Sequence, residues 1–143
     1  MTSQIKKVGV IGAGTMGAGI AGQVANAGTE VWLLDLPSND ENVNILSTKG
    51  LERLKDSDMP GLMSEEAEKL INLGNTRDHF HELEDCDWIA EAVVERLDIK
   101  QALYRRLNDT CKDSTIITSN TSTIPIRLLT EGMPTEFCER FAI

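Results

Sequence analysis

The sequence is short of positive charge: fourteen Lys plus Arg stand against 23 Asp plus Glu, a formal net charge of −9 over 143 residues. Polyanions need a basic footprint, so this balance disfavours a general nucleic-acid or anionic-membrane binder, and any anionic ligand must be held locally. Paired cysteines are lacking as well. Cys86, Cys111 and Cys138 are an odd number at wide spacings with no C-x-x-C, which encodes neither a disulfide framework nor a zinc site and fits a reducing cytoplasm. There are no repeats or low-complexity segments. A continuous apolar span is missing too. Val8 to Thr29 is 22 residues without a formal charge behind Lys6 and Lys7, but seven glycines, Gln23 and Asn26 interrupt its apolar surface, which argues against an export signal or a membrane helix. What remains is ordinary globular usage, 41% hydrophobic and 26% charged, in a length that suits one domain with its own core and is too short for two.

Short β-rich runs alternate with helical patterns, which implies β-α-β units and a doubly wound, mainly parallel α/β sheet. Val8, Val10 and Ile11 predict the first strand. Met16, Ile20 and Val24 then recur every four residues and predict a helix to about Ala27, closed by Gly28. Val31 to Leu34 reads as the second strand, broken by Pro37, Ser38 and Asn39. A helical excursion follows, with Val43, Leu46, Leu51 and Leu54 on one helix. Pro60 and Gly61 interrupt it, and Met63, Ala67, Leu70 and Ile71 suggest a second helix capped by Ser64, with Glu65 and Glu66 at the positive end of its dipole. After a turn at Gly74 and Asn75, Trp88 to Ala90 is a strand, Ile99, Leu103 and Leu107 mark a helix ending near Thr110, and Ser114 to Thr118 is another strand. Pro125 opens a short helix over Ile126 to Thr130, and Phe141 to Ile143 reads as the start of a strand. A strand that stops so soon leaves an edge and apolar surface ready to pair, so self-association of the chain is expected. From Asp78 to Asp98 eight acids meet one base, Arg96, which reads as a solvated loop rather than a metal site.

Directly after the first strand stands Gly12-Ala13-Gly14-Thr15-Met16-Gly17, a G-x-G-x-x-G at a strand-to-helix turn. Each glycine has a steric reason: Gly12 for the tight turn, Gly14 for close approach of a pyrophosphate, Gly17 for helix-on-strand packing. Backbone N–H groups at the helix start, at Thr15 and Met16, then hold the anion with the positive end of the dipole, so no basic side chain is needed. The second strand ends in Asp35, 23 residues after Gly12, where a carboxylate accepts from the adenosine ribose hydroxyls and repels a 2′-phosphate. That favours NAD over NADP. Asp35 as a simple turn residue before Pro37 is the alternative. A kinase glycine loop is a poor competitor, because no strand lysine or H-R-D set follows.

Three strings carry a resemblance: GAGTMGAGIA at Gly12 to Ala21, EAVVERLDIK at Glu91 to Lys100 and SNTSTIPI at Ser119 to Ile126. Together they resemble the N-terminal, NAD-binding domain of the L-3-hydroxyacyl-CoA dehydrogenases of fatty-acid β-oxidation, over essentially the whole chain. The segment from Pro37 to Gly74 is the least typical, and its MPGLM at Met59 to Met63 is more like bacterial proteins that fuse this dehydrogenase to a hydratase. The resemblance implies that Glu95 and Lys100 lie near the cofactor and that Ser122 lies where nicotinamide meets the substrate's 3-oxygen, with Asn120 shaping its loop. A solvated Glu95–Lys100 ion pair, and Ser122 as a helix cap or turn residue, are the structural alternatives.

In that family the catalytic histidine sits in a T-H-F-F-N-P stretch just after a strand like Phe141 to Ile143, where this sequence ends. His79 and His81, in a charged loop well before Glu91, do not substitute for it and read as surface residues. The resemblance therefore implies a cofactor half without the C-terminal substrate and dimerisation domain: it binds NAD, and the acyl-CoA substrate and homo-oligomer belong to the full-length enzyme. Coenzyme A contacts on the excursion would fall to Lys49, Arg53 and Lys55, whose charge Glu52, Asp56 and Asp58 cancel. A sister hydroxyacid dehydrogenase, for instance of the L-gulonate type, and a noncatalytic NAD-sensing module stay open.

Overall fold

A computed structural model describes residues 4–56 and 61–143; Asp58 and the Met59-Pro60 start of the MPGLM string lie outside them. Six parallel strands run β1 (Lys7–Ile11), β2 (Glu30–Asp35), β3 (Ile71–Asn75), β4 (Trp88–Glu91), β5 (Ile116–Ser119) and β6 (Phe141–Ala142). Their order across the sheet is β3-β2-β1-β4-β5-β6. Chain direction reverses its march between β1 and β4, so the crevice for a ligand opens there, at the C-terminal ends of the strands. The connecting helices are α1 (Thr15–Asn26), α2 (Ile45–Lys55), α3 (Glu65–Lys69), α4 (Leu97–Thr110), α5 (Ile126–Leu129) and α6 (Thr135–Glu139).

The central strand β1 is apolar on both faces because both are covered: Val8, Val10 and Ile11 are all buried. On one face Ala18, Ala21 and Ala25 of α1 let that helix lie close to Val10, Val31 and Leu33, with Leu54 of α2 and Ala67 of α3 completing the layer. On the other, Ile11, Leu34 and Ile89 pack under Leu83, Tyr104, Leu107, Leu129 and Phe137. Tyr104, Phe137 and Phe141 stack or tilt on one another with ring centroids 5.0 to 5.9 Å apart. The α1 side ends at Ala90 and Trp88, and Ile116 beyond them is exposed.

Most element expectations hold, including the α1 stop, where Gly28 takes φ 82° and donates to the Ala25 carbonyl, and the Ser64 cap, whose hydroxyl accepts from Ala67 N at 3.1 Å. The helix after Ser64 is shorter than its periodicity suggests. It ends at Lys69, Met63 is largely exposed, and Ile71 to Asn75 is the edge strand β3, registered with Val31 to Asp35. Met63, Ala67, Leu70 and Ile71 fit a helical face by spacing alone, while Asn72, Gly74 and Asn75 are poor strand formers; pairing with β2 overrides both signals. The expected turn at Gly74 and Asn75 is displaced to the residues after Asn75, whose buried amide accepts from Arg77 N and Asp78 N and donates to Asn44. On α2 the buried residues are Ser47, Gly50 and Leu54 rather than Leu46.

Candidate nucleotide-binding site

The glycine turn has the geometry its spacing implies. Gly12 takes φ +103°, a conformation that L side chains rarely adopt, and a Cβ there would meet the Ala92 carbonyl oxygen of the neighbouring loop. A Cβ at Gly17 would collide with the Gly12 carbonyl oxygen, whereas one at Gly14 meets nothing within 4 Å. Gly14 is thus the open position, the one a ligand can approach. The N-terminus of α1 carries no side-chain cap and no acidic residue in its first turn, and Gly14, Thr15 and Met16 are exposed, which leaves first-turn N–H groups facing outward for an anion.

Asp35 closes this turn from β2. Its Oδ2 accepts from Ala13 N at 2.7 Å and its Oδ1 from Leu36 N at 2.7 Å, so the carboxylate is fixed in place with lone pairs to spare for a pair of hydroxyls. The crevice between these groups and the loop after β4 has a volume of about 440 Å³ and is lined by Gly12, Gly14, Asp35, Leu36, Val93 and Val94 among others. It adjoins a smaller apolar depression of about 240 Å³ that shares Leu36, Val93 and Ile99 with it. A larger groove of about 600 Å³ runs down the flank of α1 to Trp88. It is mostly apolar, with Thr15 and Gln23 among its lining residues, so the smaller crevice, which holds the glycine turn and Asp35, is the candidate nucleotide site.

One helix packs against the turn from outside. Gly50 of α2 lies against Ala13, where a Cβ would come to 2.9 Å from the Ala13 oxygen, and Arg53 Nη1 donates to that same oxygen at 3.0 Å. Lys55 is paired with Glu68 at 2.7 Å and Lys49 is exposed; of the three cations singled out on the excursion, Arg53 has this contact with the glycine turn.

The residues of the VVE and S-N-T-S motifs meet at the ends of β4 and β5. Glu95 Oε1 accepts from Thr121 Oγ1 at 2.6 Å, and Glu95 Oε2 accepts from Ser122 N at 3.4 Å. The Thr121 hydroxyl, with smaller help from the Ser122 N–H and Lys100, holds the Glu95 carboxyl below its ordinary range. Ser122 is exposed in a bend between β5 and α5, not in a helix. The Asn120 backbone N–H donates to the Glu91 carbonyl; the loop is further shaped by Thr121, whose Oγ1 also accepts from Ile124 N. Lys100 differs from the solvated ion pair considered for it. It is 1% exposed, with Nζ at 2.7 Å from Glu91 and 3.7 Å from Glu95, so it is buried beneath Glu95, and neither it nor Glu95 nor Ser122 is among the residues that line the crevice.

Glu91 was not a candidate from sequence, where it counted toward a solvated acidic run. The structure buries it completely. The signal was available on α4: Leu97, Lys100, Tyr104 and Leu107 recur at i, i+3, i+7 and i+10, which puts a lysine in a core-facing row and calls for a buried carboxylate. Ile99 instead faces the crevice. The rest of the acidic run is partly paired, Asp85 with Lys7 and Asp87 with Lys112, and no three His, Cys, Asp or Glu side chains converge as a metal site among the described residues. Neither histidine lines the crevice. His79 is stacked on Trp32 with Nδ1 accepting from Asn75 N, a structural role at the β3 edge, and His81 is exposed beside Glu82.

Sheet order, glycine turn and terminal acid of β2 define a dinucleotide-binding domain of the doubly wound α/β class. Residues 7–142 match the family described as 3-hydroxyacyl-CoA dehydrogenase, NAD binding domain, and the chain belongs to that family. Its cofactor is NAD. A Deinococcus radiodurans protein named a probable 3-hydroxyacyl-CoA dehydrogenase is 42% identical over 139 residues, 96% of this chain and 40% of that protein. A Rickettsia felis protein provisionally named a fatty acid oxidation complex trifunctional enzyme is 38% identical over 100% of this chain and 20% of its own length. Among solved structures, 3-hydroxybutyryl-CoA dehydrogenase from Escherichia coli superposes with a TM-score of 0.77 at 33% identity, over 97% of this chain and 29% of that one. The chain therefore spans two fifths or less of these relatives.

Proposed function

We propose that this chain is the NAD-binding half of an enzyme that oxidises L-3-hydroxyacyl-CoA to 3-oxoacyl-CoA in fatty-acid β-oxidation. The observation that supports it best is that the glycine turn, Glu95 and Ser122 all follow the C-terminal ends of adjacent strands, β1, β4 and β5. Bound NAD supplies the hydride acceptor for C3 of the substrate. The chain's own residues bind and orient: first-turn N–H groups of α1 hold the pyrophosphate, Asp35 takes the adenosine ribose hydroxyls, and Val93, Val94 and Leu36 exclude water along the crevice. Ser122 carries an exposed hydroxyl that can donate to the developing 3-ketone oxygen. The proton of the 3-hydroxyl needs a base, and neither His79 nor His81 lines the crevice, so this reading places the base, the acyl-binding surface and the homo-oligomer contacts outside residues 1–143. Three free thiols, Cys86, Cys111 and Cys138, support a cytoplasmic compartment, and a net charge of −9 supports the absence of nucleic-acid and anionic-membrane partners. No helix among the described residues is long and apolar enough to cross a membrane.

The test is NADH formation from 3-hydroxybutyryl-CoA, by this chain and by a chimera joining it to the part of the Deinococcus radiodurans relative beyond the match. A missing general base alone typically lowers a rate by about 10² to 10⁴, so the chain alone should run near background and the chimera should turn over. Substantial activity in the chain alone contradicts the placement of the base, and an inactive, folded, NADH-binding chimera contradicts the substrate.

A further inference from the structure

The last residue of β4, Glu91, is 0% exposed, and a carboxylate so placed is tolerated only when its oxygens are fully engaged. They are. Val93 N at 2.9 Å and Lys100 Nζ at 2.7 Å donate to Oε1, and Tyr104 OH and Ser119 Oγ, each at 2.6 Å, donate to Oε2. Burial, then the bond to Glu91, pushes the Tyr104 hydroxyl far above its usual range, so it stays a donor. The Lys100 ammonium has a second carboxylate 3.7 Å away, that of the exposed Glu95, and Glu95 in turn holds Thr121 and Ser122. One buried ammonium thus links a core carboxylate to a surface carboxylate, and through them the loop after β4 to the loop after β5.

An apolar cluster would fill the same space without burying ions. What it could not do is fix where Glu95 points. We propose that Glu91, Lys100 and Tyr104 form a positioning network that holds Glu95 and the Ser122 loop in place for the nicotinamide half of bound NAD. This rests on the NAD-binding reading of the crevice. In a doubly wound sheet one mononucleotide half lies over β1 and β2 and the other over β4 and β5. The adenosine half is held by the glycine turn and Asp35, which share no hydrogen bond with the network, so the network acts on one half of the ligand only.

Selectivity between ligands is therefore the readout. Titrate NADH and ADP, which carries the adenosine and pyrophosphate alone, against the chain and against Glu91→Gln, Tyr104→Phe and Lys100→Arg. In Glu91→Gln the Lys100 ammonium loses its core partner and competes with Thr121 for Glu95, so NADH affinity falls about tenfold, which is about 1.4 kcal/mol, while ADP affinity stays within twofold. Tyr104→Phe, which changes no charge, gives a smaller loss of the same selective kind, and Lys100→Arg retains most NADH affinity. Equal losses for NADH and ADP in any of the three, or unchanged NADH affinity in Glu91→Gln or Tyr104→Phe, overturn the network as a positioning device; if Glu91→Gln does not fold, Tyr104→Phe decides by the same criterion. An unsubstituted chain that binds neither ligand refutes the NAD reading instead, and this proposal with it.

Discussion

The two sides of the sheet prepare their ligand-facing ends by opposite means. On the β1–α1–β2 side the working groups are backbone N–H groups and one carboxylate, made possible by what is missing: Cβ atoms at Gly12, Gly14 and Gly17. On the β4–α4–β5 side they are side chains, and a completely buried Glu91 with four donors stands beneath them. The first arrangement is limited by volume at its glycines; the second depends on the balance of its buried charges. An acidic chain can therefore offer a dinucleotide site without a basic surface, because backbone dipoles serve an anion on one side while on the other Lys100 bridges two carboxylates.

Substitutions can break this contrast in order of effect. The largest is Gly17→Ala: its methyl would land on the Gly12 carbonyl oxygen, backbone that cannot swing away. The chain should lose about 3 kcal/mol of stability or more, at the upper end of overpacking costs, read as a lower urea midpoint. Wild-type stability in this variant would mean that volume is not what limits the β1 side. Next is Asp35→Ala. Loss of the carboxylate removes the ribose acceptor and the repulsion of a 2′-phosphate together, so the preference for NADH over NADPH should narrow by about tenfold, roughly 1.4 kcal/mol, in paired fluorescence titrations. An unchanged preference would assign cofactor choice to another residue.

The smallest effect belongs to the opposite end of β4. Asp87 accepts from Lys6 N and Lys112 Nζ at 2.8 and 2.6 Å, and the Lys112 ammonium foremost, then the Lys6 N–H, holds its carboxyl below the ordinary value of 3.8. A depressed carboxyl stabilises the fold above its unfolded pKa and loses that contribution as pH falls through the folded one. Partial exposure limits the stability it adds, so Asp87→Asn should cost under about 1 kcal/mol at pH 7, and the difference from wild type should shrink below about pH 4. A difference that grows on acidification would contradict the assignment.

The glycine turn was legible because its constraints are backbone constraints, written residue by residue as Gly12, Gly14, Gly17 and the closing Asp35. The edge strand β3 was not: Ile71 to Asn75 has weak strand preference, and only the Val31 to Asp35 partner makes it one. The resemblance carried by the VVE and S-N-T-S motifs implies one site for Glu95 and Ser122, and the structure brings the two within contact of each other; the inward turn of Lys100 to Glu91 is carried only by its row with Leu97, Tyr104 and Leu107, where a lysine is rare enough to read as surface. His79 escaped for the same reason, its stacking on Trp32 being a contact across 47 residues of chain.

The most direct check of the account is a calorimetric titration of NADH into this chain and into Gly14→Val. A Cβ at 14 meets nothing within 4 Å, and a valine there would stand in the space the pyrophosphate needs, so the account predicts saturable binding to the chain, at least tenfold weaker binding to the variant, about 1.4 kcal/mol or more, and nearly unchanged thermal stability. Equal NADH affinity in the two proteins would place the cofactor elsewhere and contradict the account.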